Sequence, residues 1–366
     1  MNNSQADSLD PRVLATVVIV SIMEYEIFTF SKTTVAAAKQ DAWLGIIVGI
    51  FCGTGLIYLL MKLAARFSGK GYFEYLKIVW GKPLGTLFSI LYLLYFIYFL
   101  VLLFYEVSLV NKLLFLPKTP KIIPLAIFAL SLIWLNTYGI AAIVRFFQLM
   151  LPFLLLPLLL LEFLLIKSVD LHNFLPLLGG GILPVLKGAF YFLGANQGAE
   201  VLLFLAPFIT RIDQGTKPAV LGYVILSING WINAVTALGI LGVAGMRESV
   251  LPGIDTVTLI ELPGFPVERF GLLLTTPWLI AIYTTMAIFL YLLGSGFGQL
   301  FNLRPRKTTI SVLAALLLLL CFFVPNISWH ETLRKYLTLV TPFLVYALPV
   351  ITLALALIRK KGNNEA

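Results

Sequence analysis

Long apolar stretches, each near the length needed to cross a hydrocarbon core of about 30 Å, alternate with short polar segments along all 366 residues. Taking charge, proline or glycine clusters as boundaries, the pattern predicts ten membrane-spanning helices. They cover roughly 12–35, 42–64, 84–110, 122–138, 145–167, 182–208, 218–243, 272–298, 308–325 and 337–358. The run from Leu313 to Val324 is the clearest of them. The spans leave no room for a soluble domain, and the only sizeable segments between them are Ser68 to Lys82 and Gly245 to Phe270. Glycines recur every fourth residue at Gly45, Gly49 and Gly53 on span 2, and at Gly294 and Gly298 on span 8. That spacing lets helix backbones approach closely. Pro152, Pro157, Pro342 and Pro349 are expected to kink spans 5 and 10.

Two spans carry an interruption near the middle. Span 6 reads Phe190 to Glu200, with Gly194 and Gly198 flanking Asn196 and Gln197, and Glu200 where a second half-helix would begin. Unwound backbone at membrane depth is tolerated only where protein buries it or a cavity borders it. Span 1 places Glu24 and Glu26 inside an apolar flank. On a continuous helix residues two apart point about 200° apart, so either the helix unwinds there or one Glu is neutral. Spans 1 and 6 open two sets of five, 12–167 and 182–358, followed by a basic tail, 359–366. An odd number of spans per set inverts the second set. Broken helices at matching positions of inverted halves point to a transporter binding site, where half-helix N-termini offer free N–H groups to an anion.

Composition agrees with the pattern and narrows the options. The apolar set including Tyr is 60% and charged residues are 12%. Counting Gly instead of Tyr gives about 64%, against roughly 45–50% in globular domains. Nucleic-acid binding, disorder, coiled coils and secreted disulfide scaffolds are excluded. The net charge of +9 falls mainly on loops and the tail that would be cytoplasmic with the N-terminus inside, among them Lys62, Arg66, Lys70, Arg304, Arg306, Lys307, Arg359, Lys360 and Lys361. Ten spans then put both termini in the cytoplasm. Asp7 and Asp10 with Arg12 do not make a cleavable signal. Cys52 and Cys321 fall within spans, and His172 and His330 have no companion ligands in sequence, so neither a disulfide nor a metal site is expected.

Several segments carry a resemblance. They are Ala37 to Trp43; Phe67-Ser-Gly-Lys and Phe73-Glu-Tyr; Leu116 to Pro120; Gly139-Ile with Arg145; Leu175-Pro-Leu-Leu-Gly-Gly-Gly with Pro184 and Lys187-Gly188; Gly198-Ala-Glu200; Glu268-Arg269; and the basic tail. In this order and spacing the chain resembles the permease-like B subunits of spore nutrient germinant receptors, a branch of the amino acid/polyamine/organocation superfamily. The resemblance implies an all-α polytopic membrane protein of ten helices in the leucine-transporter-type 5+5 inverted repeat, with helices 1 and 6 interrupted. It also implies the spore inner membrane, a membrane-bound A subunit and a lipoprotein C subunit as partners. In one respect the chain departs from the family. Tyr25-Glu26-Ile27 stands where a Gly-x-Gly-like break is usual, and Lys32 near the expected proline. No glycine there frees N–H groups for a carboxylate, which leaves room for a cationic, neutral or nucleoside-like ligand, or a degenerate pocket.

Charge inside a bilayer costs at least about 2.5–3.5 kcal/mol, so intramembrane ionisable groups are functional candidates. They are Glu24, Glu26, Glu106, Glu162, Glu200, Lys32, Arg145 and Lys187. Glu162 has pairing with Lys167 as its plain alternative; Arg145 and Lys187 have snorkelling. Glu24 and Lys32, eight apart, share a helix face and read equally well as an ion pair. Tyr95 and Glu106 lie about 20° apart around span 3 and either line a cavity or bond a neighbouring helix. Glu200, at mid-membrane depth beside a glycine break, suits a proton-linked switch. The predicted substrate-binding set is Tyr25, Glu26, Thr29, Tyr95, Glu106, Gly194, Asn196, Gln197, Gly198 and Glu200, with Glu200, Glu106 and Glu26 for ion or proton coupling. Thr284, Thr285 and Ser295 are weaker sodium-ligand candidates. No nucleophile and base pair suggests an enzyme, and no cofactor is expected. Three readings stay open: a nutrient-binding receptor subunit, an autonomous proton-coupled amino acid or amine transporter, and a scaffold with a vestigial pocket.

Overall fold

The computed structural model describes residues 8–28, 30–259, 270–301 and 306–362. Its α-helices are α1 (Val13–Phe28), α2 (Phe30–Ala38), α3 (Ala42–Arg66), α4 (Tyr72–Trp80), α5 (Lys82–Val110), α6 (Ile122–Thr137), α7 (Ile140–Leu165), α8 (Ile182–Gly194), α9 (Val201–Leu205), α10 (Thr216–Glu248), α11 (Pro252–Thr258), α12 (Phe270–Phe301), α13 (Arg306–Leu320), α14 (Ile327–Thr341) and α15 (Leu348–Ile358). Among the described residues six helical stretches are long and apolar enough to cross a membrane: Phe30–Arg66, Lys82–Phe115, Ile140–Ser168, Ile212–Glu248, Leu274–Phe301 and Ile327–Ile358. Val13–Glu24, Ile122–Thr137, Ile182–Gly194 and Lys307–Phe323 are shorter apolar helices. The predicted spans fall on these elements. The two longest segments between spans hold the short helices α4 and α11.

Burial sorts the helices into inner and outer. α1 is enclosed by α10 and α12, with Leu14, Val17, Val18, Ile22 and Met23 fully buried. α12 lies between α1, α5 and α7 and buries Trp278, Met286, Phe289 and Tyr291. By contrast α6 and α7 expose Leu130, Trp134, Leu156 and Phe163, the apolar outer surface a bilayer demands. The span 2 glycines work as contact points. A Cβ at Gly45 would sit 2.9 Å from the Val185 carbonyl oxygen of α8, and one at Gly53 would collide with the Tyr223 hydroxyl of α10. Gly294 meets Ile310 of α13 in the same way.

Span 6 runs opposite to span 1. Leu9, just before α1, pairs with Ile209, just after α9, through Leu9 N–H to Phe208 O (2.8 Å) and Thr210 N–H to Leu9 O (3.0 Å). The start of one span therefore lies beside the end of the other. Span 6 is broken: helix stops at Gly194 and resumes at Val201. Span 1 differs from expectation, because α1 stays helical through Glu24 and Glu26 to Phe28 and its backbone does not open at Tyr25-Glu26-Ile27. Thr29 and the side chains of Tyr25 and Glu26 lie outside the described residues.

Span 10 differs most from its predicted bounds. Helix begins at Ile327 rather than near 337, capped by Asn326, whose side chain accepts from Trp329 N–H. The polar run that resembles a loop, Ser328 to Lys335, is the first half of the helix. Wider π-type turns follow over Pro342–Ala347 before α15. Pro342 lacks the N–H that would bond the Thr338 carbonyl four residues back. Gly194, where α8 ends, packs directly on that carbonyl. At the other end, Arg359 donates to Val79 O of α4 and Arg66 Nε to Lys361 O, both at 2.6 Å, so the start of the basic tail is tied to α3 and α4.

Candidate functional site

A cavity of about 420 Å³ opens between α1, α2, α5, α8, α12 and α14. Its floor is charged. Arg334 of α14 donates from Nη2 to both oxygens of Glu24 on α1, at 2.8 and 3.0 Å, and the same nitrogen lies 3.3 Å from Glu106 Oε1 on α5. His330, one turn before Arg334, places Nε2 3.1 Å from that Glu106 oxygen and stacks its ring on Tyr105 at 5.0 Å. The guanidinium also lies 5.6 Å from the Phe99 ring. Exposure separates floor from mouth: the side chains of Glu24 and Arg334 are 1% and 6% exposed and Glu106 is 14%. Lys32 and Glu331, paired at 3.1 Å, are 25% and 53% exposed. Apolar walls come from Leu109, Val110, Leu251, Trp278 and Ile327.

The helical register explains the floor. His330, Arg334, Thr338 and Thr341 recur at intervals of four, four and three, one face of a helix, and all four are buried. The pairing of Glu24 with Lys32 does not form: each takes a partner from α14 instead. A charged group this deep is tolerated because it is matched, and Arg334 joins three helices that would otherwise carry isolated charges.

Of the predicted substrate set, Glu106 lines this cavity. Tyr95, Gly194, Asn196, Gln197, Gly198 and Glu200 gather instead in the buried interior around the span 6 break. Gly198 has φ +115° and abuts the Ser21 carbonyl of α1, so the break rests on the middle of span 1. Glu200 Oε2 accepts from Gly198 N–H at 2.9 Å, and the Tyr95 hydroxyl lies beside the carboxyl. Asn196 Nδ2 donates to the hydroxyls of Tyr223 (2.8 Å) and Tyr346 (3.1 Å), and Gln197 Nε2 to Thr341 Oγ1 (3.2 Å). Ser21 Oγ, Asn196 Oδ1 and Gln197 Oε1 are buried with no hydrogen-bond partner. The Tyr92 hydroxyl, on the same helix as Tyr95, donates to the Leu344 carbonyl in the π-type turns.

The remaining ionisable candidates separate from both groups. Glu162 is buried and accepts from Asn229 Nδ2 at 3.2 Å, rather than pairing with Lys167. Arg145 and Lys187 are exposed. Thr285 Oγ1 donates to the Val20 carbonyl of α1 at 3.0 Å, and Thr284 Oγ1 donates to Ala281 O within α12 at 2.8 Å. Among the described residues no group of three His, Cys, Asp or Glu side chains could hold a metal ion. Sequence reading missed Arg334, His330, Glu331 and Trp278. The Asn326 cap and the polar stripe that begins at His330 and Arg334 were the signals that could have found those two.

Comparison with known proteins places this geometry. A family model described as "Spore germination protein" matches residues 8–328. The chain is 26% identical to Spore germination protein YndE of Bacillus subtilis, over 96% of this chain and 97% of that protein. It is 25% identical to Spore germination protein KB of the same organism, over 80% of each. Among solved structures it is similar to Mhp1, a nucleobase-cation-symport-1 family transporter in a closed conformation with bromovinylhydantoin bound. The TM-score is 0.70 at 16% identity, covering 96% of this chain and 79% of that one. MhsT in complex with L-phenylalanine gives 0.67 at 15% identity, covering 94% and 88%. These likenesses show the fold: the helical leucine-transporter type.

Proposed function

The chain belongs to the spore germination protein family, and from that membership we propose that it is the permease-fold subunit of a nutrient germinant receptor. It binds a small nutrient in the cavity above Glu24, Glu106 and Arg334, and passes the bound state to membrane-bound A and lipoprotein C partners. The setting is the spore inner membrane, with both termini on the cytoplasmic side, in keeping with the positions of the basic loops. The observation that carries the reading is the charged floor itself, in which one guanidinium joins α1, α5 and α14.

The joint gives binding a mechanical consequence. Arg334 precedes Thr338 by one turn and Thr341 by two, a rise of about 6 to 10 Å. Those two residues are where the span 6 break docks on span 10. A ligand that recruits Glu24 or Glu106 changes what holds α14, and α14 in turn holds Gly194 and Gln197. Binding shifts such an equilibrium only in proportion to its different affinity for the two arrangements.

One observation favours a second reading, an autonomous proton-coupled transporter. Glu200 is fully buried at the helix break and no cation pairs with it among the described residues. The test is reconstitution of the purified chain in liposomes with a panel of amino acids, amines and nucleosides. Saturable binding without flux supports the receptor subunit; counterflow by the chain alone supports the transporter; neither binding nor flux leaves a scaffold and overturns both.

A further inference from the structure

The charges of the cavity are arranged by depth, and that arrangement selects an orientation for whatever enters. At the floor stand two carboxylates, Glu24 and Glu106, and one permanent cation, Arg334. The guanidinium is committed to both acids through Nη2, with contacts of 2.8, 3.0 and 3.3 Å. The contacts that Arg334 and His330 make to Glu106 both fall on Oε1, and Oε2 makes neither. At the mouth the balance reverses: Lys32 is matched by Glu331, and Lys335 adds a further cation. The interior end is therefore acidic and the solvent end basic.

Resting on the reading of this cavity as the nutrient's seat, we propose that its ligand is a primary amine that enters ammonium first. The positive end is received by Glu106, the hydrocarbon body lies against Leu109, Leu251 and Trp278, and any carboxylate is left at the solvated mouth. An ammonium at the floor brings three donors to an acid whose second oxygen is outside the existing pairs, and it does so where water screens little. A carboxylate turned inward would face Glu24 and Glu106 and compete with both for one guanidinium. At the mouth it meets only half-buried Lys32, already paired with Glu331, and exposed Lys335, whose attraction salt and water weaken. The amine is thus required and the carboxylate dispensable, so the site accepts amines and amino acids but rejects N-acylated amino acids and nucleosides.

The test labels the mouth. Ala36 is exposed and lines the cavity, and the native thiols Cys52 and Cys321 are removed by substitution to Ala. In the full chain carrying Ala36→Cys, reaction with a thiol-directed fluorophore is followed in liposomes. Competitors are phenethylamine, L-phenylalanine and N-acetyl-L-phenylalanine; cadaverine, L-lysine and Nα,Nε-diacetyl-lysine; and inosine. The expected result is saturable protection by the amine and the amino acid of at least one series, with the acetylated partner and inosine at least tenfold weaker. Glu106→Gln should raise the half-protective amine concentration tenfold or more, and Glu106→Asp should restore most of it, which separates lost charge from lost fold. Protection by an acetylated compound or inosine as strong as that by amines overturns the amine assignment and leaves the cavity as the seat. Saturable amine binding that leaves Ala36→Cys labelling unchanged puts the seat elsewhere and overturns the underlying reading. The absence of both binding and protection for every amine overturns the proposal.

Discussion

Replacing Arg334 by Leu should be among the most damaging single changes in the membrane interior, and the structure says by how much and why. The guanidinium is 6% exposed and touches two carboxylates, one of them 1% exposed. Unit charges about 4 Å apart interact by roughly 4 kcal/mol at an effective dielectric of about 20, offset by the desolvation all three groups have already undergone. Removing one member of a buried pair typically costs about 3–5 kcal/mol because the partner's charge is left behind, and here two partners are left. Glu24→Gln should cost less, about 1–3 kcal/mol, since Arg334 keeps Glu106 and the amide still accepts one bond. The two changes should not add: with Arg334 gone, Glu24→Gln relieves a stranded charge, so the double variant should fall short of the sum by about 2 kcal/mol. Unfolding of the purified chain in mixed micelles at rising SDS, followed by circular dichroism, yields the cycle. Additivity within about 0.5 kcal/mol would refute the claim that Arg334 and Glu24 act as one unit.

Three further outcomes follow from the same geometry. Gly198→Ala places a methyl group against the Ser21 carbonyl at a positive φ; strain alone costs about 1–3 kcal/mol, and a thermal-unfolding midpoint equal to wild type would show that the break does not rest on span 1. Exchanging the mouth pair, Lys32→Glu with Glu331→Lys, should move stability by less than about 1 kcal/mol because both groups are partly solvated, and a larger loss by the same SDS assay would mean the pair holds the mouth together. Glu200→Gln keeps an acceptor for Gly198 N–H while removing the titration, so a ligand response that varies between about pH 5 and 9 in wild type should flatten; superimposable profiles remove Glu200 from the mechanism.

How much of this was legible in the sequence depends on which physical rule wrote each element. The spans could be read because hydrocarbon imposes a length and excludes charge. The span 6 break could be read because polar side chains in the middle of an apolar run are costly unless the backbone opens there; at Glu24 the same cost is met differently, since the helix continues and Arg334 meets the carboxylate. The site was legible only in part. Glu106 was reached from its register with Tyr95, but Arg334 and His330 look like loop residues, because a window that rewards apolar residues reads Ser328 to Lys335 as extramembrane. That stretch is helical because Asn326 caps it and because its polar face meets acids from α1 and α5. Glu24 and Lys32 look like each other's partners for a related reason. Their spacing on one helix is visible in the sequence, whereas partners some three hundred residues away are set by tertiary packing.

The charged floor also bounds what a nutrient must do to act as a signal. Moving a two-state element from about 1:99 to 99:1 requires about 5.5 kcal/mol of differential affinity. A small ligand that merely filled the cavity would bind both arrangements through the same apolar walls and would shift little. The available source of a difference that large is the Arg334 cluster, the one place in the cavity where helices from both halves of the chain are held by desolvated charge among the described residues. A ligand that takes over Glu106 frees part of the guanidinium and changes the restraint on α14, whose Thr338 and Thr341 stand beside the span 6 break. Neutralising Glu106 should therefore do more than weaken binding. With Glu106→Gln the restraint on α14 is already reduced in the absence of nutrient, so a spectroscopic label on the C-terminal end of α15 should report a baseline displaced toward the ligand-bound signal. A baseline identical to wild type, with weakened binding alone, would separate the seat from the signal and place the switch outside this cluster.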